Sequence, residues 1–172
     1  MNGLSAPSLG VLLALVAGCG STLPEDVPGY ASRCVRMNAS PIPPYEGDPH
    51  KGMKNVYACD VDVPLVEANT RPFPDGTLII KESAAEGESF VWLIATARKQ
   101  GGSWRWDEYT RNFSDEEFRH GLAGQSVCTG CHVRAQSADW IFTRYARSVD
   151  ASHDGVGALT SFAADAKRES SR

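Results

Sequence analysis

Methionine is almost missing from this chain: three among 172 residues, and none after Met53. Histidine is nearly as scarce, at four. Side chains able to bind soft or borderline metals are therefore few, and any that cluster stand out. A basic block is lacking as well. The 17 Lys and Arg are scattered among 21 Asp and Glu for a net charge of −4. That pattern excludes an electrostatic nucleic-acid surface. No internal repeat is visible, and no apolar run reaches the ~20 residues that span a bilayer. The run LGVLLALVA at 9–17 falls well short. The body of the chain is thus expected to be soluble, with any membrane attachment made by an anchor.

The end of that run carries a second signal. VAGC at 16–19 has the form of a bacterial lipobox, in which Cys19 takes a lipid and becomes the first residue of the mature protein. Residues 1–10 hold no Lys or Arg, so only the amino terminus gives the leader its positive charge. A plain secretory leader with a coincidental cysteine is the alternative. The expected organisation is a lipoprotein signal peptide at 1–18, a polar tether at 19–29, one domain at 30–147 and a disordered tail at 148–172. The 42% apolar content suffices for a single core. The expected location is the periplasmic side of a membrane.

Export changes the reading of the remaining cysteines, Cys34, Cys59, Cys128 and Cys131. Cys34 and Cys59 are expected to pair, which would stabilise the fold by roughly 3 kcal/mol on a chain-entropy account.

The Pro- and Gly-rich stretch SPIPPYEGDP at 40–49 excludes a long helix there. Strands are expected within 56–61, over 77–82, 89–99 and 103–109, with Gly101-Gly102 turning the last two into a hairpin. A short helical piece is expected near Pro64–Asn69. Ser114 and Glu117 form a capping box, which predicts a short helix starting at Ser114. Another helical turn should carry residues 128–132, and the aromatic-rich 138–148 should pack back on the core. The fold class is therefore mainly β (α+β): an antiparallel sheet with a few short helices.

CTGCH at 128–132 is the attachment pattern of c-type haem. Cysteines three apart on a helical turn point the same way, so both sulfurs can reach the vinyl groups of one porphyrin edge. The next residue, His132, then lies under the iron as its proximal ligand. A zinc site would need four ligands, and Cys34 and Cys59 are not a close pair. A thioredoxin-like redox pair belongs after an early strand in a βαβ setting, whereas this pattern comes late in a β-rich chain. A disulfide within the triplet would leave His132 without a role. One covalent haem c per chain is the expected cofactor. After the CxxCH only His153 could supply a further axial ligand, and Met37, Met53, His50 and His120 read as surface or packing residues. A haem with a vacant coordination position favours gas binding or catalysis over simple electron carriage.

PFPDGTLIIKES at 72–83 and CTGCHVRAQSADWIFTRY at 128–145, with Trp104, Trp106 and Tyr109 between them, resemble the cytochrome P-460 family of small exported bacterial haem proteins. The resemblance covers roughly Tyr30 to Arg147. It implies a β-rich fold, often dimeric and so a homodimer here, with a five-coordinate haem c. It also implies a covalent bond between a lysine and the porphyrin, and the matching lysine is Lys81. Burial would favour the neutral, nucleophilic amine that such a bond requires.

Family members that oxidise hydroxylamine present a carboxylate from the strand following the lysine. In this chain residues 90–97 hold no Asp or Glu, and Ile94 stands at the aligned position. An apolar pocket would suit a neutral diatomic, as in the related cytochrome c′-β proteins. The resemblance thus implies two functions. One is oxidation of hydroxylamine or a related small nitrogen compound, with electrons leaving to a redox partner. The other is non-catalytic binding of nitric oxide, or electron transfer.

Overall fold

Alternating apolar residues rich in Val, Ile, Trp and Tyr build the chain's main structure, an antiparallel sheet. The computed structural model describes residues 23–85, 87–88, 90–121 and 124–147. The expected signal peptide, the lipidation residue Cys19 and the expected tail at 148–172 lie outside the described residues. The elements run α1 (Tyr30–Arg33), β1 (Val35–Arg36), β2 (Met53–Cys59), α2 (Val63–Glu67), β3 (Leu78–Ala84), β4 (Val91–Gln100), β5 (Ser103–Thr110), β6 (Arg119–His120) and α3 (Gln125–His132). A 3-10 segment, Val133–Ala138, continues α3. The strands form one six-stranded sheet in the order β1-β2-β3-β4-β5-β6, each antiparallel to the next. The mainly-β α+β class is thus the observed one.

Each sheet face has its own core. On one face Val56, Ala58, Ile79, Ala97 and Trp104 pack with Met37, Val66, Phe73 and Ile141. The other face carries Cys59, Leu78, Ile80, Ile94 and Tyr109 against Val27 and Phe118. This second core begins earlier than the expected domain boundary at Tyr30. Val27 is 1% exposed and Leu23 packs against the same cluster, while Pro24–Asp26, Pro28 and Gly29 are exposed. A disulfide joins Cys34 to Cys59, fastening the segment that ends α1 to the end of β2.

Gly101 and Gly102 both have positive φ, 55° and 74°, which gives the two-residue turn a twist matching the strands it joins. The helix expected at Ser114 is absent. Residues 112–118 form turns leading into β6, whose His120 pairs with Tyr109. Arg111 explains the difference. Its guanidinium takes the carbonyls of Val91 at 2.7 Å and Ser114 at 2.9 Å. The Glu116 carboxylate accepts from the Asn112 N–H at 2.9 Å and closes a turn across this stretch.

Candidate functional site

Lys81 lies mid-strand in β3, and register fixes its neighbours. It pairs with Val56 on one side and Ala95 on the other, and Ala95 pairs in turn with Glu108. Directly opposed residues share a face. Val56, Lys81, Ala95 and Glu108 therefore form one row across four strands. Lys81 and Glu108 are two strand spacings apart, roughly 10 Å along the sheet, with only the Ala95 methyl between them. The next row on this face ends in Ala97 and Trp106.

Helix α3 docks beside that row through Gln125. Among the described residues, β6 pairs with Tyr109 and Thr110 and no strand pairs the β5 edge at Trp104–Trp106. The Gln125 side chain completes it. Its Oε1 accepts the Trp106 N–H at 2.9 Å and its Nε2 donates to the Trp104 carbonyl at 2.9 Å. The amide acts as a short extra strand and fixes the start of the helix against the sheet. Thr129 then ties its hydroxyl to the Gln125 carbonyl at 2.7 Å.

Cys128 and Cys131 are free thiols of intermediate exposure, one turn apart on this helix. The His132 ring packs 4.2 Å from Trp106 and 5.1 Å from Phe142, centre to centre. Its Nδ1 is 2.7 Å from the Trp140 carbonyl. A carbonyl can only accept, so Nδ1 carries the proton and Nε2 keeps a free lone pair. Burial lowers the pKa of the imidazole, aided by the charges of Lys81 and Arg134 and opposed by the bond to Trp140. A neutral imidazole with a free Nε2 is the form that binds iron.

The Trp140 carbonyl is held in place by the preceding residue. Asp139 and Trp140 both adopt left-handed backbone, with φ of 57° and 66°. The Asp139 carboxylate accepts from the Phe73 N–H at 2.8 Å and the Trp104 indole at 3.3 Å, and it pairs with buried Lys99. Beyond it, Tyr145 and Asn69 exchange two hydrogen bonds of 2.6 and 3.1 Å. This is how the aromatic segment after the CxxCH packs back on the core.

Burial pushes the pKa of Lys81 down to about 8, with Lys54 adding to the effect and Asp48, Glu108 and Cys128 opposing it. Burial raises the pKa of Glu108, and Lys81 lowers it. The Cys128 thiol is raised, first by burial and then by Glu108. These mutual influences bring Lys81, Glu108, Cys128 and His132 into one neighbourhood. His50 joins them, its Nε2 3.5 Å from Glu108 Oε2.

The structure revises three sequence expectations. Ile94 is not in this neighbourhood. It pairs with Glu82 and Tyr109 and is buried in the opposite core. Its one-residue offset from Ala95 puts it on the other face. A carboxylate does stand on the Lys81 face, but it comes from Glu108, one strand further on. His50, read as a surface or packing residue, belongs to the site. Trp104, Trp106 and Glu108 alternate along β5, and that period of two is the signal that could have revealed the acid. Of the other residues weighed as axial ligands, Met37 is buried in the core, and His120 is exposed beside Asp107 at 3.0 Å.

The residues fit a c-type haem. Two free thiols lie one turn apart, a neutral imidazole comes next with Nε2 unengaged among the described residues, and an amine of lowered pKa comes from the facing sheet. Cys34 and Cys59 are joined to each other, so neither can complete a zinc site. The side of α3 bearing Gln125, Ser126, Thr129 and Gly130 borders an open concavity of about 720 Å³ instead. Val133 and Trp140 complete its lining. No protein-family model matches the chain, and neither does any curated protein.

Proposed function

We propose that this chain is a haem c protein of the cytochrome P-460 type that oxidises hydroxylamine or a related small nitrogen compound. The observation that carries this reading is the shared face of Lys81 and Glu108, with the CTGCH helix docked beside it. Cys128 and Cys131 would hold the porphyrin by thioether bonds, His132 would bind the iron, and Lys81 would be the cross-linking amine. A bound haem would supply a redox-active iron, and the electrons removed from the substrate would leave to a separate redox partner.

The remaining chemistry is the chain's own. Oxidising an N–H or O–H compound releases protons, and Glu108 is positioned to take one. Its desolvation makes the carboxylate more basic than a surface acid. Trp106 and Phe142 flank the His132 ring. The Trp140 carbonyl keeps the imidazole in a single tautomer and raises its basicity as a ligand. The Cys34–Cys59 disulfide agrees with an oxidising compartment, and so supports export.

The test is turnover of hydroxylamine by the purified holoprotein with an artificial electron acceptor. Turnover that falls in Glu108→Gln supports the oxidase. A holoprotein with no turnover at any pH, yet binding nitric oxide or exchanging electrons, would support the non-catalytic reading instead.

A further inference from the structure

His50 lies in a loop, yet the structure anchors it more firmly than loops usually require. Asp48 and Lys54, both nearly fully buried, form an ion pair beneath it, and the Lys54 ammonium also donates to the carbonyls of Pro43 at 3.3 Å and Gly52 at 3.0 Å. The His50 N–H donates to Asp48 Oδ1 at 3.0 Å. From β3 the buried Ser83 hydroxyl donates to the Lys51 carbonyl at 2.6 Å and approaches that of His50 at 3.4 Å. Gly52 closes the loop with φ of 94°, and a Cβ there would run into the Ala84 carbonyl. The loop is thereby pressed against the end of β3, two residues from Lys81.

All this anchoring serves to present one imidazole to one carboxylate. His50 Nε2 stands 3.5 Å from Glu108 Oε2. On the other side of the carboxylate is Gly121, where a Cβ would come within 3.0 Å of Oε1. Its N–H also donates to the Glu108 carbonyl at 2.6 Å. Glu108 thus fits between a histidine and a glycine at which a Cβ would be tight. Burial, together with Lys81, Lys54 and His132, keeps His50 neutral, against the opposing pull of Asp48. The contact is therefore a 3.5 Å approach of a neutral imidazole to a carboxylate rather than an ion pair.

We propose that His50 is the positioning residue of Glu108: its Nε2–H holds Oε2, fixing the carboxylate's orientation on the Lys81 face and favouring its charged form. This rests on the reading of Glu108 as the proton acceptor. The groups facing Glu108 are Lys81 from β3, Cys128 from α3 and His50 from the loop.

The direct measurement is an infrared titration of the holoprotein, in which the Glu108 carboxyl band is identified by its loss in Glu108→Gln. A donor that favours the carboxylate lowers its pKa, so His50→Leu should raise the Glu108 pKa by about one pH unit. His50→Gln, which keeps an N–H donor, should restore most of it. In turnover, His50→Leu should lower kcat about tenfold with little change in KM, and its acid limb should move to higher pH by the same amount. An unchanged or lowered Glu108 pKa in a folded, haem-loaded His50→Leu protein would overturn the proposal. If that variant fails to load haem, Ser83→Ala loosens the same loop and should move the band in the same direction; no movement would count equally against it. Wild-type turnover in Glu108→Gln, with the band still shifted by His50→Leu, would instead remove the acceptor reading and leave the positioning intact.

Discussion

A carboxylate stripped of water holds its proton to higher pH, and Glu108 is such a group. As a proton acceptor it works only when ionised. Turnover should therefore be full above its folded pKa and lost as pH falls through it, at a pH above the usual carboxylate range. Glu108→Gln should lower kcat by about 10²–10⁴-fold and abolish that limb. Steady-state kinetics across pH would read both. Lys81 makes a separate prediction. If its amine is bonded to the porphyrin, the reduced holoprotein should show a strongly red-shifted Soret band, and Lys81→Arg should return it to an ordinary c-type spectrum. Asp139 works from behind the ligand. Asp139→Ala would leave the Lys99 ammonium buried without its partner and free the turn that aims the Trp140 carbonyl. A loss of about 3–5 kcal/mol is expected from denaturant unfolding.

At the scale of elements, the docking of α3 depends on one amide standing in for a strand. Gln125→Ala would hand the Trp106 N–H and the Trp104 carbonyl to water at about 0.5–1.5 kcal/mol per bond, and haem incorporation should fall with it, read from absorbance per chain. The strands themselves were legible, because alternation and β-branched residues mark 78–84, 91–100 and 103–110, and paired glycines mark the hairpin between the last two. What sequence could not show was which residues face each other across the sheet. Aligning Ile94 with the site missed by one residue, and with a period of two that error exchanges faces. His50 was hidden for a related reason. Its place is set by a buried ion pair between Asp48 and Lys54, and nothing in the local sequence marks these two as partners. The capping box at Ser114 failed because a neighbouring guanidinium, that of Arg111 three residues earlier, claimed the backbone that a helix would have used.

The whole molecule divides its labour between two sheet faces. The Lys81 face holds the candidate site, and the opposite face holds the N-terminal segment, closed by the Cys34–Cys59 disulfide. Opening that disulfide with Cys34→Ser and Cys59→Ser together should cost about 3 kcal/mol on the chain-entropy account and lower the melting temperature. The visible spectrum should not change, since the bond lies behind the sheet from residues 128–132. The CTGCH pattern was the most legible feature of the site, being a contiguous signature. Its partners Glu108, His50, Gln125 and Asp139 are brought to it only by folding. Intact mass and a tryptic map of the holoprotein, made in cells that mature c-type cytochromes, test the central claim most directly. The mass should rise by one haem per chain, with the peptide holding Cys128 and Cys131 joined through it to the peptide holding Lys81. A colourless protein at the bare polypeptide mass would contradict a haem held by residues 128–132.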